Sequence, residues 1–205
     1  IRRYLPPCSE GNPVYLLHSP SASEIRRFRE RQHGRPVFQN TGVIPDPPPR
    51  GYRANVGFGQ VGAGSEAFHA ACEVVRHWEM FPSDWVRIET AEETVSVGVT
   101  AAVIAPCLGV WTINCCRVVD VVETDRRFAF TYATTDEHSL AGAEEFALEW
   151  REDDTVWFRI HAVARPRDWL SRLGWLVVRR LQKRFARDAP LAVERAVERR
   201  LSSRP

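Results

Sequence analysis

The sequence predicts an α+β domain in which an antiparallel sheet of about seven strands packs against a long C-terminal helix. Six consecutive segments between residues 86 and 164 alternate apolar and polar residues, and polar turns without an intervening helix join them. After Pro166, apolar residues recur at helical spacing for about twenty residues. Because a sheet with one apolar face needs a cover, we expect this helix to lie on it.

The chain divides by composition into an N-terminal extension, residues 1–50, and a domain, residues 51–205. Within the extension, Ser21–His33 predicts a short arginine-rich helix with Ser21 or Ser23 as its N-cap. Four prolines between Pro45 and Pro49 predict a stiff, extended connector after this helix.

The domain begins with a short strand near Tyr52, followed by a helix over SEAFHAACEVVRHW that Pro82 ends. The later strands are predicted at residues 86–90, 94–105, 109–122, 126–135, 142–150 and 155–164. The C-terminal helix should bury the face formed by Trp169, Leu173, Val177, Leu181 and Phe185. Pro190 should kink or end this helix, leaving LAVERAVERRL as an exposed second helical piece.

Composition excludes several classes of protein. No apolar run approaches the length of a membrane span, so we expect no transmembrane segment. The five cysteines, of which Cys8 lies nearest the N-terminus, show no C-x-x-C spacing, and free thiols in a cytoplasmic protein are the expectation. The six histidines are scattered, so the sequence predicts no metal site and no cofactor. It indicates no oligomeric state.

Charge is distributed unevenly along the chain, although the net charge is only +2. Residues 1–50 carry eight arginines against four acidic residues, and residues 168–205 carry ten basic residues against four acidic ones. Basic ends can bind nucleic acid or anionic lipid, and Arg26, Arg27, Arg29 and Arg31 are candidates. Packing of these ends against an acidic sheet is the favoured interpretation, so nucleic acid is not the expected partner.

Gly57, Gly59 and Gly62 form a G-x-G-x-x-G pattern that follows a strand and precedes a helix. A dinucleotide site would require a βαβ unit and a parallel sheet, whereas hairpins follow here. We therefore interpret the glycines as serving a twisted strand and a tight turn into the helix.

The strongest functional signal comes from three polar residues in the otherwise apolar sets of consecutive strands: Arg117, Tyr132 and Glu144. A turn near residues 124–125 would pair Arg117 with Tyr132, and a turn at His138 would pair Tyr132 with Glu144. The three would then form one row on the concave face, with His138 at its mouth. A slip of one residue in register would break the row.

Two interpretations of this row stay open at this point. It is a buried Arg–Glu bridge that fixes the register, or it is the polar anchor of an apolar pocket. In the second case Arg117, Tyr132 and Glu144 bind the ligand, and Tyr132, Glu144 and His138 are the candidates for acid–base catalysis. The remaining expected lining residues are Trp78, Trp111, Phe130, Phe146, Trp150 and Gly174.

The order of elements resembles the helix-grip superfamily, which includes START, Bet v 1-like and polyketide-cyclase proteins. More specifically, residues from about 38 to 197 resemble the DUF1990 (UPF0548) family through VGAGSEAF, HWEMFPSDW, NCCRVVDV, FTYATTDEHSLAGAEEF and ARPRDWLSRLGWLVVRRLQKRFARD. The resemblance implies a curved sheet wrapped around the C-terminal helix, with a cavity between them for a small or lipid-like ligand. The family favours an acid after the glycine of its G-E-E segment, where this chain has Ala143, so only Glu144 keeps an inward carboxylate.

Three functions follow from these observations. The first is a protein that binds a small apolar or amphipathic molecule in the cavity between the sheet and the C-terminal helix. The second is an enzyme of cyclase, hydratase or hydrolase type that uses the same pocket. The third is an interaction module that contacts nucleic acid or anionic lipid through its basic ends. Ligand binding is favoured over catalysis.

Overall fold

The computed structural model describes residues 15–38, 43–82 and 84–203, so Cys8 and the rest of residues 1–14 lie outside the described chain. The strands are β1 (Tyr15–Leu16), β2 (Arg53–Ala63), β3 (Arg87–Thr90), β4 (Thr100–Cys107), β5 (Val110–Thr124), β6 (Arg127–Thr134), β7 (Leu140–Trp150) and β8 (Thr155–Pro166). The helices are α1 (Ala22–Gln32), α2 (Gly64–Arg76), α3 (Trp169–Leu173) and α4 (Trp175–Ser202).

Seven of these strands form one antiparallel path in the order β2-β8-β7-β6-β5-β4-β3, and the two-residue β1 pairs with β5. The short turns between β4 and β8 produce the meander, and α2 carries the chain from β2 at one edge to β3 at the other. The predicted fold class is confirmed: the chain has the helix-grip arrangement of an antiparallel sheet around a long C-terminal helix.

The main hydrophobic core lies between the sheet and helices α2 and α4, and we call the side of the sheet that faces it the inner face. Phe130, Phe146 and Phe158, from three neighbouring strands, stack in sequence across this face at centroid separations of 4.9 and 6.4 Å. Phe81 and Phe185 pack against each other at 5.1 Å and close the cluster from the helical side. Burial of such rings is the main favourable contribution to stability here.

The outer face of the sheet is covered by the N-terminal segment. Ser21 forms a capping box with Glu24 at the start of α1, and Ile25 and Phe28 of this helix pack against Ile113 and other residues of β4 and β5. Farther along, buried Ile44 packs against β6, β7 and β8. The division of the chain at residue 50 stays a prediction, although the described part of the extension packs directly on the domain.

The glycines of the G-x-G-x-x-G pattern allow helices to approach β2 closely. A Cβ atom at Gly57 would lie 2.2 Å from the carbonyl oxygen of Ala186 in α4, and one at Gly59 would lie 2.8 Å from the Cβ of Pro190. A Cβ atom at Gly62 would lie 2.6 Å from the Cβ of Ala67 in α2. The pattern therefore serves helix–sheet contact, a role that the sequence interpretation of a twisted strand and a tight turn did not include.

The predicted start of one strand, the predicted end of α4 at Pro190 and the predicted exposure of the segment after it are wrong. Strand β4 begins at Thr100 instead of residue 94, because Gly98 just before it adopts a φ of 94° that no strand residue adopts. Pro190 does not end α4, which continues to Ser202. The segment after Pro190 is not an exposed piece either, since Val193 and Val197 lie in the main core and their burial offsets the hydrogen bond that proline cannot make.

The predicted buried face of the C-terminal helix is also only partly present. The helix is broken at Gly174, which caps α3 and precedes α4. Trp169 and Leu173 of α3 are exposed, whereas Phe185 is buried. The residues of α4 that belong to the main core begin at Phe185, whereas the turns before it line cavities on the inner side of the sheet.

Gly57→Ala should destabilise the protein by about 2–3 kcal/mol, because the new methyl group would overlap a helix backbone carbonyl that cannot move independently. Gly174→Ala is the matched control, since its Cβ would meet no atom closer than 3.4 Å. Chemical denaturation of both variants measures the difference. Equal midpoints for the two would show that α4 does not press on β2 as described.

Candidate functional site

A cavity of about 180 Å³, which we call the binding cavity, lies between the inner face of the sheet and α4. It lies toward the end of the sheet where β6 turns into β7, and Thr134, His138 and Leu140 are among its lining residues. Most of its lining is apolar, and its aromatic and aliphatic wall includes Phe81, Val86, Leu140, Ala162, Leu181 and Phe185. A cavity of this size, lined in this way, can hold a molecule of one or two rings.

A second cavity of about 240 Å³ adjoins the first beneath α3 and the start of α4. Among the residues that line it are Leu108, Leu170, Gly174 and Val178. The two cavities share part of their lining, namely Ala105, Asn114, His138, Leu140, Leu181 and Gln182. Because they share these residues, the two cavities lie next to each other on the inner side of the sheet.

Tyr132 and Glu144 form the polar pair of the binding cavity. They are direct partners across β6 and β7, and the Tyr132 hydroxyl donates to Oε2 of Glu144 at 2.7 Å. Burial raises the pKa of Glu144 to about 7, although the hydrogen bond from Tyr132 acts in the opposite direction. Burial and the neighbouring carboxylate raise the pKa of Tyr132 well above its usual range. The carboxyl group can therefore accept or release a proton near neutral pH.

His138 and Asn114 contribute further polar groups where the two cavities meet. The backbone N–H of Leu140 donates to Nδ1 of His138 at 2.9 Å, so the proton of the neutral ring resides on Nε2. Burial and the charge of Arg167 lower the pKa of His138 to about 3. The Oδ1 atom of Asn114 accepts from the N–H of Ser139 at 3.0 Å, which turns its NH₂ group away from that contact. At neutral pH His138 is thus an uncharged hydrogen-bond donor.

The predicted row is correct for Tyr132 and Glu144 but wrong for Arg117. Tyr132 pairs with Val118, and Arg117 pairs with Ala133 on the outer face. There the Arg117 guanidinium donates to the carbonyl oxygens of Gln32 and Arg35 at 2.7 and 2.9 Å, at the end of α1. No basic side chain is found among the described residues that line the binding cavity.

A β-bulge between Val118 and Asp120 explains this error. Before the bulge, the odd-numbered residues of β5 lie on the outer face, which is apolar here because α1 packs against it. After the bulge, Val121 lies on the inner face. The sequence prediction assumes one alternation of inner and outer residues throughout β5, but the extra residue of the bulge reverses this alternation. For the same reason Trp111 lies on the outer face against α1, and not in the binding cavity.

The other expected lining residues divide into two groups. Phe130, Phe146, Trp78 and Trp150 lie on the inner side, but within or against the packed core rather than in the lining of either cavity. Gly174 lines the second cavity. A binding role for any of these residues stays a prediction.

Sequence reasoning missed several residues that line the cavities, among them Asn114, Cys116, Thr134 and Gln182. Asn114 and Cys116 belong to the even-numbered residues of β5, which the sequence pattern places on the wrong face of the sheet. Burial raises the pKa of the Cys116 thiol well above its usual range, so this group is neutral. The signal that could have found Asn114 is a lone amide in a strand that is apolar on both sides.

Several arginines of the basic C-terminal region are engaged with acids. Arg184 binds Asp84 and Asp188, and Arg200 binds Glu79. No helix in the described part of the chain has the length and hydropathy needed to span a membrane. Nor do residues 15–38, 43–82 and 84–203 contain a cluster of three or more His, Cys, Asp or Glu side chains suited to a metal ion.

The sheet, the long helix and the cavity between them define a helix-grip protein. The chain belongs to the family described as "Domain of unknown function (DUF1990)", whose model matches residues 38–190. It is similar to a UPF0548 protein of Dictyostelium discoideum, at 28% identity over 63% of this chain and 66% of that protein, slightly less than two thirds of its length. A UPF0548 protein of Deinococcus radiodurans is 27% identical over 89% of this chain and 98% of its own.

Solved structures show the same fold at low identity. The Zhui aromatase/cyclase from Streptomyces sp. R1128 aligns with a TM-score of 0.54 and 13% identity, over 74% of this chain and 97% of that one. A protein from Thermus thermophilus aligns with a TM-score of 0.53 and 11% identity, over 74% of this chain and 100% of the other. These similarities support the fold alone.

Replacing Glu144 with glutamine should change how stability depends on pH. Because the folded-state pKa of about 7 exceeds the usual value of 4.5, ionisation of Glu144 destabilises the wild type as pH rises between these values. Glu144→Gln removes that penalty, so its stability relative to wild type should rise by about 3 kcal/mol from about pH 4.5 to about pH 8.

Urea denaturation at several pH values measures this difference, and ¹³C NMR titration of the wild-type carboxyl group measures the pKa directly. Glu152→Gln, an exposed change in the turn between β7 and β8, is the control and should leave stability unchanged across the range. A stability difference between Glu144→Gln and wild type that does not vary with pH would exclude a raised pKa.

Proposed function

We propose that the protein binds a small, mainly apolar molecule with one hydroxyl or carbonyl group in the binding cavity. The observation that carries this proposal is the Tyr132–Glu144 pair, which supplies an anchor in an otherwise apolar wall. Such a combination of apolar surface with few polar groups is typical of small-molecule sites. A cytoplasmic location, which the sequence predicts, is part of this proposal.

The polar groups limit the chemistry of the ligand. When ionised, Glu144 accepts a hydrogen bond from a ligand hydroxyl, and when protonated it donates to a carbonyl. The neutral His138 ring offers an Nε2–H donor at the junction of the cavities. With no basic side chain in the described lining, an anionic ligand group would lack a counter-ion. The proposed ligand is therefore uncharged or carries its charge outside the binding cavity.

A matched pair of bicyclic compounds tests the anchor. 2-Naphthol and 2-methylnaphthalene have nearly the same shape, but only the first can donate a hydrogen bond to Glu144. We expect wild-type protein to bind 2-naphthol about tenfold more tightly, because a hydrogen bond to a charged acceptor is worth about 1.5–3 kcal/mol. Isothermal calorimetry or naphthol fluorescence measures both affinities.

The double variant Tyr132→Phe/Glu144→Leu removes both hydrogen-bonding partners and leaves no unpaired buried group, so it should fold. It should bind 2-methylnaphthalene as the wild type does and lose the preference for 2-naphthol. Ala162→Leu should weaken the binding of both compounds, because the larger side chain would fill the cavity. Ala22→Leu, at an exposed position of α1, should leave both affinities unchanged. A preference that survives in the double variant would exclude the anchor, and binding unaffected by Ala162→Leu would exclude the cavity.

An acid–base enzyme is the second candidate function, and the pKa of Glu144 near 7 is the observation that favours it. Glu144 would remove a proton from a carbon next to a ligand carbonyl and later return one to it. The electron pair left on carbon would delocalise onto the carbonyl oxygen, where a donor such as Nε2–H of His138 could stabilise it. Zhui, which shares the fold, is named an aromatase/cyclase, a name that belongs to that protein.

2-Tetralone in deuterium oxide tests the chemistry without a known substrate. If Glu144 acts as the base, the protein should accelerate deuterium incorporation next to the carbonyl, and the rate should rise as pH increases through about 7, because the ionised form is the base. Mass spectrometry follows the exchange. Glu144→Gln should return the rate to that of solution, whereas Glu152→Gln should not. Exchange no faster than in buffer, with binding of 2-tetralone demonstrated, would leave a binding protein and exclude this enzyme.

A further inference from the structure

Four large apolar side chains are exposed together around the junction of α3 and α4. Trp169, Leu173 and Leu176 are 75%, 78% and 74% exposed, and Leu108 in the turn between β4 and β5 is 67% exposed. We call these four residues the apolar patch. A Cβ atom at Gly174 would lie 3.5 Å from Cδ1 of Leu108, which places the turn directly against the helix junction.

The apolar patch borders the second cavity. Leu108 belongs both to the patch and to the cavity lining, together with Leu170 and Gly174 from the same junction. The patch therefore lies at the rim of the second cavity, which adjoins the binding cavity. Exposed apolar groups concentrated at such a rim mark an interaction site more often than isolated ones do.

The charge beside the patch has one sign. Residues 169–187 contain six basic residues and no acidic residue. Arg172, Arg180 and Lys183 are exposed, and none of them forms an ion pair with an acid of the described chain. Asp168, the acid just before this segment, caps α3 and accepts a hydrogen bond from Tyr15. The neighbourhood of the patch thus carries uncompensated positive charge.

We propose that the apolar patch docks on an anionic phospholipid membrane. Trp169, Leu173 and Leu176 would enter the boundary between headgroups and acyl chains, while Arg172 and Arg180 would contact lipid phosphates. Apolar insertion and electrostatic attraction act on the same segment, which is the combination that holds amphipathic helices at a membrane surface. Docking in this orientation places the rim of the second cavity at the bilayer, where apolar molecules are concentrated.

A second copy of the chain is the competing occupant of the patch. In a symmetric dimer the same surface meets itself, so each patch would bring its flanking arginines toward those of the partner. Repulsion between these arginines would oppose dimerisation, whereas the negative charge of an anionic lipid surface would attract them. The charge distribution therefore favours the membrane.

Vesicle sedimentation with the full chain tests the proposal, and no cavity ligand is needed. We expect binding to phosphatidylcholine vesicles containing about 30% phosphatidylglycerol, and binding about tenfold weaker or absent with phosphatidylcholine alone. Raising the salt concentration from about 50 to about 200 mM should weaken binding to the anionic vesicles. Equal binding to both kinds of vesicle, or none to either, would overturn the proposal.

Leu173→Ser/Leu176→Ser and Arg172→Glu/Arg180→Glu should each reduce binding to the anionic vesicles at least about tenfold. The controls change residues of the same type elsewhere. Phe58→Ser replaces a side chain on β2 that is 68% exposed, and Arg26→Glu/Arg27→Glu reverses charge on α1, and both should bind as wild type does.

Loss of binding in the α1 variant but not in the α3–α4 variants would move the interaction to the N-terminal segment and overturn the proposal. Dimerisation that the leucine variant abolishes, without vesicle binding by the wild type, would also overturn it. These measurements use no cavity ligand. A negative vesicle result would therefore not affect the proposed binding function, and a negative 2-naphthol result would not affect the membrane proposal.

Discussion

The close contact between α4 and the edge strand β2 determines where this fold can hold a cavity. Pro190 has no N–H, so the carbonyl of Ala186, four residues earlier, lacks its usual helical partner. This carbonyl lies over Gly57, where only a glycine leaves room for it. A Cα–H group that lies against such a carbonyl oxygen can form a weak hydrogen bond with it. From this contact onward α4 packs in the solid core, and the cavities lie before it, beneath residues such as Leu181.

The sequence predicted the fold well because the signals for it are local and repeated. Alternating strands, polar turns and a long amphipathic segment each indicate their own element, and together they leave few topologies. Pro190 shows where this reasoning fails. Its effect on an isolated helix is to end it, but burial of Val193 and Val197 in the main core outweighs the lost hydrogen bond. Tertiary contacts of this kind are not visible in a local pattern.

The site was predicted only in part, for a similarly physical reason. Tyr132 and Glu144 are joined by a hairpin without irregularity, so counting from the turn gave their pairing correctly. Arg117 is separated from Tyr132 by a bulge, and β5 is apolar on both faces because α1 covers the outer one. With both faces apolar, the alternation of residue types no longer indicates which face is inner. Asn114 was missed for the same reason.

The position of Arg117 also contradicts one of the two interpretations of the polar row, the buried Arg–Glu bridge. A buried Arg–Glu bridge would have compensated the carboxylate, but Arg117 holds α1 on the opposite face. Glu145, the next residue along β7, shows the alternative, since it binds both Arg127 and Arg159 on the outer side. Glu144 has only the Tyr132 hydroxyl among described partners, and burial without a basic partner raises its pKa. A pair of apolar residues would stabilise the fold more. An uncompensated carboxyl group in the wall of a cavity is therefore the feature on which the proposed binding function rests.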